Sequence, residues 1–205
     1  MKGTGLVQVK RFDAEELNRL KREDEAALID SAERAYEETV RHAAESYLEC
    51  RKEKPMILIS GPSGSGKTTS SYRLTDALKG HGLNPVVISL DNFFLERKKL
   101  PRNRDGSPRF DSVQALDLSL VNRTLWSLVY RREAEIPAFD FIKSRADGGA
   151  LLRLERDSVV LIEGIHALNP LVTYGLDYDS FFKICMNVDS AFYAEEEPLL
   201  SSQDV

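Results

Sequence analysis

The run Gly61-Pro62-Ser63-Gly64-Ser65-Gly66-Lys67-Thr68 holds the residue types best suited to binding an anion in this 205-residue chain. Its glycines let the backbone turn tightly, so that successive N–H groups face one concavity, and a helix starting there adds its positive end. Phosphate oxygens fit such a cradle. Gly61, Gly66, Lys67 and Thr68 satisfy the spacing G-x-x-x-x-G-K-[ST], in which the lysine reaches the β and γ phosphates and the hydroxyl ligates Mg²⁺. The candidate nucleotide-binding residues are thus Gly61, Ser63, Gly64, Ser65, Gly66, Lys67, Thr68 and Thr69, with ATP and Mg²⁺ as the expected ligands. A glycine turn of purely structural purpose is the competing reading.

Two carboxylates stand where they could act on a phosphate held there. "VVISLD" ends at Asp91 and "VVLIEG" carries Glu163, each at the end of an apolar run that reads as a strand. In a parallel α/β sheet both emerge at the carboxyl edge, beside the glycine loop. Asp91 could accept the proton of an attacking hydroxyl, and Glu163 could hold Mg²⁺ or its water. Phosphoryl transfer needs alignment and charge neutralisation more than covalent help. Asp91 and Lys67 are the catalytic candidates, Thr68 and Glu163 the metal candidates. The alternative for each carboxylate is a cap on the turn that follows it.

The elements that must position these groups are legible in the periodicity. Strands are expected at 56–60, 85–90, 158–162 and 181–187, and helices at 67–79 and 113–131, the latter turning Leu116, Leu120, Leu125, Leu128 and Val129 inward. The expected fold is α/β, a parallel sheet of the P-loop NTPase type flanked by helices. Before it, Leu17, Leu20, Ala27 or Leu28, Ala32, Ala35 or Tyr36, Val40, Ala43 and Tyr47 recur at helical spacing. They predict one amphipathic helix from Asp13, which with Glu16 can form its cap, to about residue 50, roughly 55 Å at 1.5 Å per residue. That helix either packs along the core or serves a dimer or partner contact. The expected division is 1–54, an N-terminal segment with the long helix, and 55–205, the core. The stretch 92–111 is polar, punctuated by Pro and Gly, and long for a loop, which marks a functional excursion.

Composition narrows the class. With 42% hydrophobic and 30% charged residues the chain reads as an ordinary soluble globular protein. A net charge of −5 argues against broad binding to nucleic acid or anionic lipid. No stretch approaches the roughly 20 apolar residues of a membrane span, and no signal-peptide core is present, so a cytoplasmic protein acting on a small-molecule substrate is expected. Cys50 and Cys185 lack companions at metal-binding spacing and read as reduced structural thiols.

Five stretches taken together, "ILISGPSGSGKTT", "VVISLDNFFLER", "RFDSVQALDLSLVNRTLWSL", "IPAFDFIKSR" and "VVLIEGIHALNPLV", resemble in type and order the uridine kinase and phosphoribulokinase family of P-loop kinases, in its bacterial uridine kinase-like branch. The resemblance covers roughly residues 55 to 190. It implies ATP-dependent transfer to a primary hydroxyl of a uridine- or cytidine-like nucleoside or a related ribose-bearing metabolite. It implies that Asp91 is the general base, that Asp111 in "FDS" holds the ribose of the acceptor, and that Phe139 flanks its base. Where uridine kinases place a histidine and an arginine after the "YDF" motif, "FDFIKSRAD" offers Lys143, Ser144 and Arg145. Of these Arg145 is taken as the candidate acceptor contact. His166 in "EGIHALNP" resembles a variant of longer bacterial members and is a fourth acceptor candidate, its alternative being a loop or capping histidine.

The family continues into an arginine-rich lid, whereas residues 184–205 contain no Lys or Arg. Since such arginines are worth about 10³ to 10⁵ in rate in P-loop enzymes, three readings follow. The chain is the family's core cut short, or a complete small kinase with altered acceptor specificity, or a catalytically impaired nucleotide-binding regulatory module. In the last case the N-terminal helix would engage a partner, and in any of them it could support a homo-oligomer.

Overall fold

The computed structural model describes residues 10–187, 190–194 and 197–200. The described chain divides into two compact units, one formed by residues up to Thr39 together with Asn187 onward, the other by Val40–Met186.

The Val40–Met186 unit is organised by apolar runs that bury both faces. Strands β2 (Met56–Ser60), β3 (Asn84–Ser89), β6 (Ser158–Glu163) and β7 (Phe181–Cys185) form one parallel sheet in the order β3-β6-β2-β7. Every residue of β2 is buried, as expected of a central parallel strand covered on both sides. One face packs Met56, Leu58, Val160 and Ile162 against Val121, Leu125 and Leu128 of helix α3 (Leu118–Arg131). The other packs Ile57, Ile59 and Leu161 against Leu74 and Leu78 of helix α2 (Lys67–Gly80), and against Ala44 and Tyr47. Those last two lie near the end of helix α1 (Ala14–Cys50), and Tyr47 meets Phe182 of β7 edge-on.

The expected strands at 56–60, 85–90 and 158–162 are found to within one or two residues, and the expected strand at 181–187 ends two residues early, at Cys185. The expected helix 113–131 is shorter. Val113–Ala115 is a 3-10 turn and Leu116 is extended, and Asp117 then caps α3 by accepting from the Leu120 N–H at 2.9 Å. A cap inside the sequence pattern, with a side chain that competes for the backbone, restarts the chain there. The single long helix is likewise two segments, because Asp24 has non-helical dihedrals (φ −160°, ψ 93°) and accepts from the Ala27 N–H at 2.9 Å. Asp13 caps the first segment as expected, with Glu16 N–H donating to its Oδ1 at 2.9 Å. Within α1 the buried residues are Ala44 and Tyr47 alone among those described.

Sequence periodicity missed an antiparallel hairpin, β4 (Glu133–Asp140) with β5 (Arg145–Arg153), carrying a register shift between Pro137 and Phe139. The other unit contains β1 (Lys10–Asp13), β8 (Ser190–Ala194) and β9 (Glu197–Leu200) in the order β1-β8-β9, also unforeseen.

Candidate active site

The chain leaves β2 at Ser60 and turns at Gly61, where the backbone of another strand end comes unusually close. The Met186 N–H donates to the Ser60 carbonyl at 2.7 Å, and a Cβ at position 61 would collide with the Met186 carbonyl. Glycine is required there by contact. Gly64 and Gly66 serve a different purpose, with φ of 77° and 79°, the left-handed region that other residues enter at a cost. Gly66 is the residue from which α2 starts, and its carbonyl accepts from the Ser70 N–H at 2.8 Å. The loop thus aims the N-terminal N–H groups of a 14-residue helix into the space above it.

That space is a cavity of about 370 Å³ lined by Ser63, Gly64, Gly66, Lys67, Thr68 and Thr69 from the loop and helix, by Asp91, and by Glu163, Gly164 and Ile165. Both predicted carboxylates therefore face the predicted cradle. Asp91 arrives on a 3-10 turn (Leu90–Phe93) directly after β3, its N–H donating to Ser89 Oγ at 3.3 Å. Glu163 ends β6 and is 7% exposed. The β6 edge is drawn against the loop by the Gly164 N–H donating to the Ile59 carbonyl at 3.1 Å and by Ser60 Oγ donating to the Ile165 carbonyl at 2.8 Å.

Burial pushes the Asp91 carboxyl above the usual carboxylate range, and the Lys67 ammonium partly offsets this. Asp91 is solvent-accessible as a residue, yet desolvation of its carboxyl at the cavity it lines outweighs the nearby positive charge. Lys67 Nζ itself donates to the Pro62 carbonyl at 2.7 Å, which curls the side chain back over the loop.

The four acceptor candidates do not line this cavity, although His166 directly follows Ile165, which does. Phe139 belongs to an aromatic group that sequence reading missed: its ring is 6.1 Å from Phe94 and 5.0 Å from Phe141, and Phe94 is 6.0 Å from Phe110. The rings come from three segments whose spacing shares no period, so only the folded chain joins them. Asp111, beside Phe110, is exposed and pairs with Arg109 at 3.3 Å. Arg145 is exposed at the start of β5, and the hairpin turn before it meets the 92–111 excursion where Arg97 N–H donates to the Ser144 carbonyl at 3.4 Å. His166 is half-buried with its Nε2 buried and without a partner among the described residues. The excursion is closed at its base by a bridge between Phe94 and Leu116. Arg102 donates to the Gly106 carbonyl at 2.7 Å, so it and Arg109 are held by the loop's own groups.

Magnesium can be tested against the donors. No group of three or more His, Cys, Asp or Glu residues that could hold a metal occurs among the described residues. One hydroxyl at Thr68 and one buried carboxylate at Glu163 facing the same cavity suit an ion that keeps most of its ligands from water and substrate phosphates.

The sequence profile of the phosphoribulokinase / uridine kinase family matches residues 56–188. The chain belongs to this family. A uridine kinase from Lactobacillus helveticus is 27% identical over 139 residues, covering 67% of this chain and 63% of that protein. A uridine kinase from Ligilactobacillus salivarius is 29% identical over 120 residues, 58% of this chain and 55% of the relative. The chain therefore spans less than two thirds of the length of these family members. Among solved structures, one described as a possible uridine kinase from Bacillus stearothermophilus superposes with a TM-score of 0.53 at 21% identity, over 64% of this chain and 70% of that one. D-glycerate 3-kinase from Cryptococcus neoformans does so with a TM-score of 0.50 at 25% identity, over 64% and 53%. The family match at residues 56–188 takes in the P-loop and all four strands of the parallel sheet.

Proposed function

We propose that this chain transfers the γ-phosphoryl group of ATP to a primary hydroxyl of a uridine- or cytidine-like nucleoside or a related ribose-bearing metabolite. The observation that carries the reading is the meeting of Lys67, Thr68, Asp91 and Glu163 in one cavity of about 370 Å³. The loop N–H groups and the start of α2 bind the phosphates, and Lys67 neutralises charge on the outer ones. Asp91 accepts the acceptor's hydroxyl proton as the new O–P bond forms and the bond to ADP breaks. Thr68 and Glu163 would hold Mg²⁺, which when bound supplies charge neutralisation to the phosphates.

The aromatic group around Phe139 supports an acceptor with a flat apolar portion, and stacked or edge-on rings add about 0.5–1.5 kcal/mol beyond buried area. Asp111 would hold the ribose, with Arg145 and His166 as further acceptor contacts. The named relatives act on chemically different acceptors, a uridine kinase and a D-glycerate kinase, so the hydroxyl chemistry is better supported than the acceptor's identity. The reaction takes place in the cytoplasm, its residues all lie in the core that follows residue 55, on which Ala44 and Tyr47 of α1 pack, and α1 supports self-association. Among the described residues no helix is long and apolar enough to cross a membrane.

The test is ADP release and product mass with ATP, Mg²⁺ and a panel of uridine, cytidine, D-glycerate and ribulose 5-phosphate. Acceptor-dependent ADP with a phosphorylated nucleoside is expected. ATP binding without transfer to any acceptor would replace this reading with the nucleotide-binding regulatory module.

A further inference from the structure

Helix α3 turns Val121, Leu125 and Leu128 into the core, and its opposite face carries side chains the phosphoryl-transfer site does not use. Asn122, Arg123, Trp126, Ser127 and Arg131 line an open groove of about 370 Å³, closed on the other side by Tyr174. The groove has a fixed floor. Asn122 Nδ2 donates to the carbonyls of Leu171 at 3.0 Å and Val172 at 2.7 Å, clamping the 165–177 segment to the helix.

Its composition is unusual for a bare surface. Trp126 is 42% exposed, Tyr130 62% and Tyr174 75%. The Trp126 and Tyr130 rings lie 4.9 Å apart, tilted by 43°, and the Arg131 guanidinium lies 5.3 Å from the Trp126 ring centroid. Such aromatic patches flanked by arginine are the composition that dominates binding energy at protein interfaces. Among the described residues, neither Arg123 nor Arg131 forms an ion pair with a carboxylate. Residues 118–131 and 165–176 contain no Asp or Glu, although the chain has 33 of them. The carboxylates that border these segments are engaged elsewhere: Asp117 accepts from the Leu120 N–H at 2.9 Å, Glu133 pairs with Arg153 at 3.3 Å, and Asp177 accepts from the Asp179 N–H at 3.0 Å and Ser180 Oγ at 3.2 Å. Two guanidiniums without an ion-pair partner among the described residues thus border the groove, on a chain of net charge −5.

We propose that this groove docks an acidic segment of another protein, with an aliphatic or aromatic anchor seated between Trp126 and Tyr174 and carboxylates paired to Arg123 and Arg131. Charge complementarity selects the occupant. A groove this open and this apolar suits a peptide chain laid across it, and the two unpaired guanidiniums at its rim select carboxylates.

Trp126 is the sole tryptophan in the sequence, so its emission reports the groove directly. The probe is a synthetic peptide of glutamates flanking a leucine pair, free of aromatic residues, titrated into the full chain at low and high salt. Saturable, salt-sensitive blue-shifted emission is expected. A glutamine version of the peptide should bind about tenfold more weakly, and the double charge reversal Arg123→Glu with Arg131→Glu should have a similar effect while ATP affinity stays unchanged. Tyr174→Ala, on an exposed loop position, should weaken peptide binding without altering the fold. An emission spectrum indifferent to the peptide overturns the proposal, as does binding equal for the glutamate and glutamine peptides. Emission that shifts with protein concentration alone would assign the groove to a second copy of this chain and overturn it as well.

Discussion

Lys67 and Asp91 face one cavity with opposite charges, and each changes what the other does. Lys67→Ala removes a charge-assisted contact to phosphate, and calorimetry should show ATP binding weakened by about 1.5–3 kcal/mol. The same variant should also move Asp91. Burial raises the Asp91 pKa and Lys67 lowers it, so removing the ammonium raises it further. Carbon-detected NMR of the Asp91 carboxyl should find titration above the ordinary value of about 3.9 in the parent chain and higher still in Lys67→Ala. A general base works when deprotonated, so transfer should fall as the pH drops through that raised value. An Asp91 that titrates at the ordinary value in both proteins would remove the electrostatic coupling on which this rests.

Among the elements, the turn out of β2 (Met56–Ser60) is the most constrained. Gly61→Ala would press a Cβ into the Met186 carbonyl, and overpacking against backbone costs about 1–3 kcal/mol. Thermal melts should show that loss, with ATP affinity falling because the loop must shift. The four strands of the parallel sheet and both strand-end carboxylates were legible in the sequence because parallel strands buried on both faces leave continuous apolar runs that stop where the chain reaches the site. The hairpin β4 (Glu133–Asp140) with β5 (Arg145–Arg153) was not, since β5 is exposed along nearly its whole length and therefore lacks an apolar face. The break in α1 (Ala14–Cys50) was hidden for a related reason. The apolar spacing runs on past Asp24, and only its cap to Ala27 gives the restart away. At the site, the glycine loop announced itself by spacing, whereas the rings around Phe139 are brought together from positions 94, 110 and 141, which no local pattern connects.

For the molecule as a whole, the unit Val40–Met186 contains the cavity and both apolar cores, including Ala44 and Tyr47 from the end of α1. A chain limited to residues 40–186 should keep ATP affinity, whereas one starting at residue 55 strips Ala44 and Tyr47 from Ile57, Ile59 and Leu161. Large-to-small losses of this kind cost about 2–5 kcal/mol, and the shorter chain should melt markedly lower. Equal melting temperatures for the two would place the boundary at residue 55. The central claim is that one cavity binds ATP and carries out transfer through separate groups. It is tested most directly by measuring ATP affinity and acceptor phosphorylation side by side in the full chain and in Asp91→Asn. ATP affinity within about twofold of the parent, with transfer lowered by about 10² or more, is the predicted result. Undiminished phosphorylation by Asp91→Asn would contradict the assignment of Asp91 as the base.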